Sequence, residues 1–593
     1  MKDTVGAVIF LLRISWRNGR RQLTLGAVLI LLGFAATPLV AVAAREAVNA
    51  ALAADEMTSL RWSVATGIAL TCELYLAHFA HLYYFELGEI NEKTLTSELI
   101  SSISEVSLER LDSPEFLDSI AILKQDIVRM RESVSAVFKI LAIVVQLVIT
   151  SVVVARLQIW LAALPLASAV PVVLGHRAEL VLERGRREAA SVVRQLARLR
   201  SIATSPDTLP ELRILGVEEL LLSRHHSLQT RAKDILLKAQ WKHAAWRAVG
   251  QGAFAAAYAP SVAFVIYMVK NGSVTVGDVV LLVTLITRVS AQVVTGLDLF
   301  ASLHSVANGF DILRHLNFAD LKERGSDGAL PIERISTGIS LEDVEYTYRG
   351  MTTPAVSGVN LHLPAGSTVA IVGENGAGKS TLVKIISGLY RPTRGRVRVD
   401  DVDLGEQTPE SWRARVSTLF QDFARLEFSV QESVGVGHLP DIDNRAAVLS
   451  AFRRASSGKV VDDLPHGLDT LLGLRHEQGR ALSGGQWQSV GLARSLMRPK
   501  PLLLVLDEPG HSLDALAEEQ VAEAYLSAAK DVAYRSGGVT CFVTHRLSTA
   551  QLADRIVVVD RGSVVEVGTH EDLMARRQKY FELFELQSRG YVS

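Results

Sequence analysis

Residues 371–382 read IVGENGAGKSTL, and within them Gly373, Gly378, Lys379 and Ser380 have the G-x-x-x-x-G-K-[ST] spacing of a polyphosphate-binding loop. Glycines let consecutive backbone N–H groups turn toward an anion without Cβ clashes, and a following helix adds its positive N-terminal end. Glu374, Asn375, Gly376, Ala377 and Thr381 fill out the cradle. Lys379 is placed to reach the β- and γ-phosphates, and the Ser380 hydroxyl to ligate Mg²⁺. A second chemical signal is PLLLVLDEP, Pro501 to Pro509, a continuously apolar run that ends in two carboxylates. Such a run reads as a buried strand presenting acids at its carboxyl end. Asp507 would help hold Mg²⁺, and Glu508 would polarise a water for attack on the γ-phosphate.

These residues need a sheet to hold them. An apolar β-like run precedes the loop and a helical pattern from Lys379 to Leu389 follows it. Beyond residue 337 short β-branched strands alternate with helical patterns, as in an α/β core. The stretch from His315 to Thr337, with GSDG and LPIER, is charged and broken by Gly and Pro, and reads as a linker. The expected organisation is a helical transmembrane domain over 1–314, a linker over 315–337 and a nucleotide-binding domain over 338–593.

With 593 residues the chain exceeds what one core usually supports. Lys and Arg number 62 against 63 Asp and Glu, which removes any bulk electrostatic case for a nucleic-acid partner. Hydrophobic residues make up 49% and the mean hydropathy is +0.23, high for a soluble protein, which fits apolar residues concentrated in one half. Cys72 and Cys541 fall in different domains, so neither a disulfide scaffold nor a cysteine metal site is expected. No cleavage site follows a short apolar core at the N-terminus, which speaks against a removable signal peptide.

Six apolar segments of bilayer-spanning length precede residue 305: Thr24–Ala44, Ser63–Phe85, Ala136–Val154, Ile159–Gly175, Ala248–Val269 and Val276–Phe300. Arg13, Arg17, Arg20 and Arg21 crowd the flank of the first, which places the N-terminus in the cytoplasm. By parity the long, charged stretches Glu86–Ser135 and His176–Arg247 are cytoplasmic, and their helical patterning predicts two large hairpins. Breakers mark the tips: LDSPEFLD at Leu111–Asp118 and TSPDTLPELRILG at Thr204–Gly216. Each reads as a short helix across a hairpin tip that presses on a cytoplasmic partner. Glu73, His78 and His81 in the second span, and Arg288 with Gln292 in the sixth, are ionisable or polar groups inside spans. They either pair between helices, as Glu73 with Arg288, or line a polar pathway for cargo.

Between the phosphate loop and the acidic pair stands LSGGQ, Leu482 to Gln486, before a helical pattern. This segment resembles the signature motif of the ATP-binding cassette, or ABC, ATPases. Tyr348 resembles that family's adenine-stacking aromatic, Gln421 the glutamine that touches Mg²⁺ and senses the membrane domain, Asp514 the aspartate of the dimer-contact loop, and His545 the switch histidine at the γ-phosphate. Six spans with two long hairpins ahead of one cassette resemble ABC exporter half-transporters, closest to bacterial peptide and multidrug exporters. The resemblance implies a membrane-embedded dimer, with a homodimer favoured because the hydrolytic set is intact. ATP would lie between one phosphate loop and Ser483, Gly484, Gly485 and Gln486 of a facing chain. It further implies an ATPase coupled to transport of a peptide, drug-like or lipid cargo out of the cytoplasm, in an inner or plasma membrane with both termini cytoplasmic. An importer of the exporter fold and an ATP-gated channel are the alternatives. No peptidase domain precedes the first span, so leader-peptide cleavage is not expected. Gly510 and His511 replace the usual Thr–Ser after Pro509, Trp487 follows LSGGQ, and the Gly-Glu-rich stretch before it is modified.

Overall fold

The computed structural model describes residues 2–205, 208–315, 332–474, 476–508 and 515–592. Its contacts divide into two units: residues 1–104 with 118–317, and residues 105–117 with 318–593. Asp514, Gly510 and His511 lie outside the described residues, as do 316–331 of the expected linker.

The first unit is helical. Its elements are α1 Lys2–Asn18, α2 Arg20–Leu52, α3 Glu56–Ser104, α5 Pro114–Ala155, α6 Ala169–Thr204, α7 Leu209–Leu215, α8 Glu218–Lys270 and α9 Val276–His315. Here α5 begins within the adjoining segment of the second unit, where α4, Leu108–Leu111, lies. With 49 residues α3 is about 70 Å long, more than twice the bilayer core, so span and hairpin arm are one helix. The same continuity holds for α8 with its 53 residues. Among the described residues five helices are long and apolar enough to cross a membrane.

The fourth expected span differs. Ile159–Gly175 is not one α-helix: a 3₁₀ helix over Ile159–Ser168 precedes α6. Pro165 and Pro171 each lack an amide donor, which weakens the i→i−4 ladder here. Elsewhere small residues set the packing. A Cβ on Gly185 of α6 would lie 2.4 Å from the Ala239 Cβ of α8, so these helices can run side by side only with glycine there.

The hairpin tips are short helices, as their breakers predict, but the first is displaced. It is α4, Leu108–Leu111, which begins three residues ahead of LDSPEFLD and ends on its first residue, and the Asp112–Ser113 turn separates it from α5. Proline suits the first position of α5, where no intrahelical N–H bond is lost. The second tip, α7, falls within Thr204–Gly216, ends on left-handed Gly216 (φ +60°), and exposes Ile214 and Leu215.

The second unit contains two sheets. A four-stranded antiparallel sheet runs β2 (Val356–Pro364), β1 (Gly338–Tyr346), β4 (Arg394–Val399), β5 (Val402–Asp403). A six-stranded sheet has the order β10 (Ser563–Gly568), β9 (Arg555–Asp560), β3 (Thr368–Val372), β8 (Val539–Val543), β7 (Leu503–Asp507), β6 (Val416–Leu419). From β9 to β6 its pairings are parallel, and β3, β7 and β8 are buried on both faces. Alternate residues feed two cores. Val369, Ile371, Leu503 and Val505 pack into one, with the antiparallel sheet; Ala370, Val372, Leu504 and Leu506 pack into the other. This two-sided burial explains why these strands read as unbroken apolar runs.

Candidate active site

Parallel strands emit their loops on one side, and the loops after β3, β6, β7 and β8 carry the residues expected to do the chemistry. After β3 the chain turns through Gly373 (φ +152°), Gly376 (φ +79°) and Gly378 (φ +103°) into the helix Lys379–Ile386. A Cβ at Gly378 would lie 2.5 Å from the Ala355 carbonyl oxygen, so both its conformation and its surroundings demand glycine.

Lys379 is buried, and its Nζ donates to the carbonyls of Gly373 and Glu374, each at 2.9 Å, spanning the loop it closes. Burial lowers its pKa, while the charges of Glu508 and Asp507 act the other way. Beside it, Asp507 ends β7 and is also buried. Burial and the neighbouring Glu508 push its pKa up to about 6, against a hydrogen bond from Ser380 and the charge of Lys379.

Glu508, one residue past β7, lies in the left-handed region with φ +47°, and its N–H donates to Val543 O of β8 at 3.0 Å. Its carboxylate is bracketed by two loops. Gln421 Nε2, after β6, donates to Oε2 at 3.0 Å, and His545 Nδ1, after β8, is 3.5 Å from Oε1. Lys379, Ser380, Gln421, Asp507, Glu508 and His545 are thus brought together.

Tyr348 Oη hydrogen-bonds Thr381 Oγ1 at 2.9 Å, which attaches the aromatic to the first turn after the phosphate loop. Its ring stands edge-on to Tyr346 and Tyr390, whose own rings stack with centroids 4.9 Å apart. Tyr390 in turn reaches the first hairpin tip: its Oη donates to Asp112 Oδ2 at 2.6 Å, and Glu109 Oε1 accepts from the Arg391 N–H at 2.7 Å. Burial and that bond to Asp112 raise the Tyr390 pKa. The aromatic cluster joins the tip residues to the nucleotide-side loop within one unit.

LSGGQ stands at a different place. Ser483 caps the helix Gly484–Ser495 in a capping box: Gln486 N–H donates to Ser483 Oγ at 3.2 Å, and Ser483 N–H to Gln486 Oε1 at 2.9 Å. Ser483 and Gly484 are exposed, so the positive end of this helix faces outward. The unusual Trp487 is buried in the core beneath it.

Three partners escaped the sequence reading. Lys579 Nζ bonds Glu374 Oε1 at 2.9 Å, holding the phosphate loop from the C-terminal helix Lys579–Val592. From that helix Gln587 also accepts from Leu547 N–H at 2.7 Å and donates to His545 O at 2.8 Å, fixing the histidine loop. Tyr390 is the third, and only its position after the phosphate-loop helix hinted at it.

In the first unit, Arg288 Nη1 and Thr37 Oγ1 both donate to Glu73 Oε1 at 3.1 Å, so Glu73 and Arg288 pair. His78 and His81 are exposed, and Glu73 lies on a more buried face of α3. Gln292 donates to Gln146.

A glycine-rich strand-to-helix loop, a buried acid and a second acid held between glutamine and histidine form the arrangement of a P-loop nucleotide-binding domain, and the same chain has helices long enough to span a bilayer. Residues 356–511 match the ABC transporter family. The chain is 29% identical over 397 residues to the subtilin transport ATP-binding protein SpaT of Bacillus subtilis, covering 66% of this chain and 62% of that protein. It is 37% identical over 261 residues to the ATP-dependent lipid A-core flippase of Chromohalobacter salexigens, covering 44% and 43%. With the nisin transport ATP-binding protein NisT of Lactococcus lactis it shares 31% over 325 residues, covering 54% and 52%. The chain therefore spans less than two thirds of these relatives. The structure of a bacterial Atm1-family ABC exporter with ATP bound superposes with a TM-score of 0.75 at 24% identity, covering 96% of this chain and 98% of that one. The chain carries an ABC transporter domain that binds ATP, in a multi-pass membrane protein with the ABC exporter fold.

Proposed function

We propose that this chain is one half of an ATP-driven membrane exporter that works as a dimer, with two copies of itself as the favoured assembly. The observation that supports this reading is that the candidate site residues gather without the signature segment of the same chain. Lys379, Asp507, Glu508, Gln421 and His545 converge, while the capped end Ser483–Gln486 faces outward on another helix. A facing copy would supply that end to the γ-phosphate, with Asp514 in the dimer-contact loop. Exposed Ile214 and Leu215 on α7 favour the same view, since an apolar tip awaits a partner surface.

In this reading Lys379 and the loop from Gly373 to Thr381 hold the phosphates, and Tyr348 stacks on adenine. Glu508 accepts the proton of the attacking water, oriented by Gln421, and His545 contacts the γ-phosphate. Mg²⁺ fits the donor set of Ser380, Gln421 and Asp507, because a carboxylate kept protonated up to about pH 6 by burial is one that a cation would ionise. When bound, the ion would neutralise developing phosphate charge. The tips at 108–113 and at 209–215 would carry closure to the spans. The termini are cytoplasmic in an inner or plasma membrane, and the cargo is a peptide, a drug-like molecule or a lipid; the relatives' names speak of subtilin and nisin transport and of a lipid A-core flippase.

The test is Glu508→Gln in the full chain in lipid nanodiscs. ATP turnover should fall about 100-fold or more with nucleotide binding retained; turnover near wild type removes Glu508 from its role. ATP-dependent accumulation in inverted vesicles supports export, whereas ion current without accumulation supports the channel alternative.

A further inference from the structure

Four helices of the first unit contribute a polar seam at the depth of the apolar spans: Thr37 from α2, Glu73 from α3, Gln146 and Thr150 from α5, Arg288 and Gln292 from α9. Gln146 is completely buried and Thr150 is 2% exposed. Around them Leu285, Val289 and Val293 of α9 and Ala142 and Ile143 of α5 are buried apolar residues. Helical spacing aligns the seam, since Gln146 and Thr150, like Arg288 and Gln292, are one turn apart on the same face.

The seam is half satisfied. Arg288 and Thr37 both donate to Glu73 Oε1, but Glu73 Oε2 has no partner. Gln292 donates to Gln146, which leaves Gln146 Nε2 and Gln292 Oε1 unpaired, and Thr150 Oγ1 is also unpaired. Flipping both amides leaves the same inventory, one N–H₂ and one carbonyl oxygen. In a bilayer such atoms cost more than an apolar core would, so interhelical packing alone does not account for them.

What they match is specific. Gln146 Nε2 is a donor, Glu73 Oε2 and Gln292 Oε1 are acceptors, and the Thr150 hydroxyl can serve as either, so unpaired donors and acceptors stand together. A peptide backbone presents the complementary N–H and C=O in equal number. A phosphate-bearing headgroup would need surplus positive charge, and Arg288 is already bonded to Glu73.

We propose that the seam formed by Glu73, Gln146, Thr150, Arg288 and Gln292 is a cargo subsite that reads backbone amides, which makes the cargo class a peptide. This rests on the exporter reading above. The subsite would engage cargo when the helices part, exchanging interhelical for cargo hydrogen bonds without a change in net charge.

The test measures ATPase stimulation of the full chain in phosphatidylcholine nanodiscs. The probes are an N-acetylated, C-amidated Leu/Ala decapeptide and the same peptide N-methylated on alternate amides, which loses donors but keeps its apolar surface. The unmethylated peptide should reach half-maximal stimulation at about tenfold lower concentration, as expected for one or two hydrogen bonds. In Q146L/Q292L, which replaces the pair by apolar residues of similar size, that ratio should fall to near one. Equal potency of both peptides in the wild type overturns the inference without any variant. So does stimulation by added phosphatidylglycerol with no response to either peptide, provided turnover remains Glu508-dependent; the ATPase reading then stands. Absence of Glu508-dependent hydrolysis overturns both.

Discussion

Asp507→Asn should stabilise the nucleotide-free protein and abolish its magnesium-dependent stabilisation by ATP. Asp507 is 5% exposed and has a pKa of about 6 in the folded protein against an ordinary 3.8. A raised carboxylate pKa means that the native state binds protons more readily than the unfolded chain between these values. Stability is therefore lost as pH rises from about 4 to about 6, and the deficit stays constant above that. A shift of two units corresponds to about 2–3 kcal/mol above pH 6 and roughly half as much at pH 5. Asparagine carries no charge, so the variant should escape this penalty, while its side-chain oxygen still accepts from Ser380. For a domain of this size about 2–3 kcal/mol raises the unfolding temperature by roughly 5–10 °C at pH 8. Calorimetry of the full chain, following the nucleotide-sensitive transition at pH 5 and pH 8, measures the difference. With Mg²⁺ and ATP present the order should reverse, because the wild type gains a charged ligand for the ion and the variant does not. A gain that is equal at the two pH values, or a loss at pH 8 without nucleotide, refutes the argument.

Two further outcomes follow from contacts in the second unit. Tyr390→Phe keeps the ring stack with Tyr346 but deletes the 2.6 Å bond to Asp112. Because Asp112 is exposed, the cost to stability should be only about 1 kcal/mol, whereas dependence of ATP turnover on cargo should weaken measurably. Arg494 is held with Nε on Ser433 O at 2.7 Å and Nη1 on Ala424 O at 2.9 Å, and burial lowers its pKa. Arg494→Met should destabilise by about 2 kcal/mol, seen as a lower unfolding temperature, by leaving the Ser433 carbonyl without this donor.

Legibility in the sequence followed chain distance. The glycine-rich turn between strand and helix at 373–378, and the strand that ends at Asp507, were readable because they depend on adjacent residues and on strands whose two-sided burial leaves an unbroken apolar run. The capped helix after Ser483 was readable for the same local reason. Lys579 on Glu374 and Gln587 on the His545 loop join segments more than 40 residues apart and carry no local signal. Tyr390 and Asp112 are 278 positions apart. The expected fourth span missed its 3₁₀ opening because hydropathy does not register a proline's missing donor. Composition grouped Glu73 with His78, His81 and Arg288; only helical phase separates the exposed histidines from the paired acid.

The left-handed backbone at Glu508 bears on how such a domain ages in a genome. A glutamate there carries roughly 1–3 kcal/mol of conformational strain, which glycine or asparagine would largely relieve. The pairing of its N–H with Val543 keeps the backbone in place whatever the side chain. Folding alone therefore favours losing the acid, and in the role proposed for Glu508 the demand for hydrolysis opposes that loss. A copy released from that demand would gain stability by replacing this one residue, so a sturdier cassette is a single substitution away from the one proposed to hydrolyse ATP.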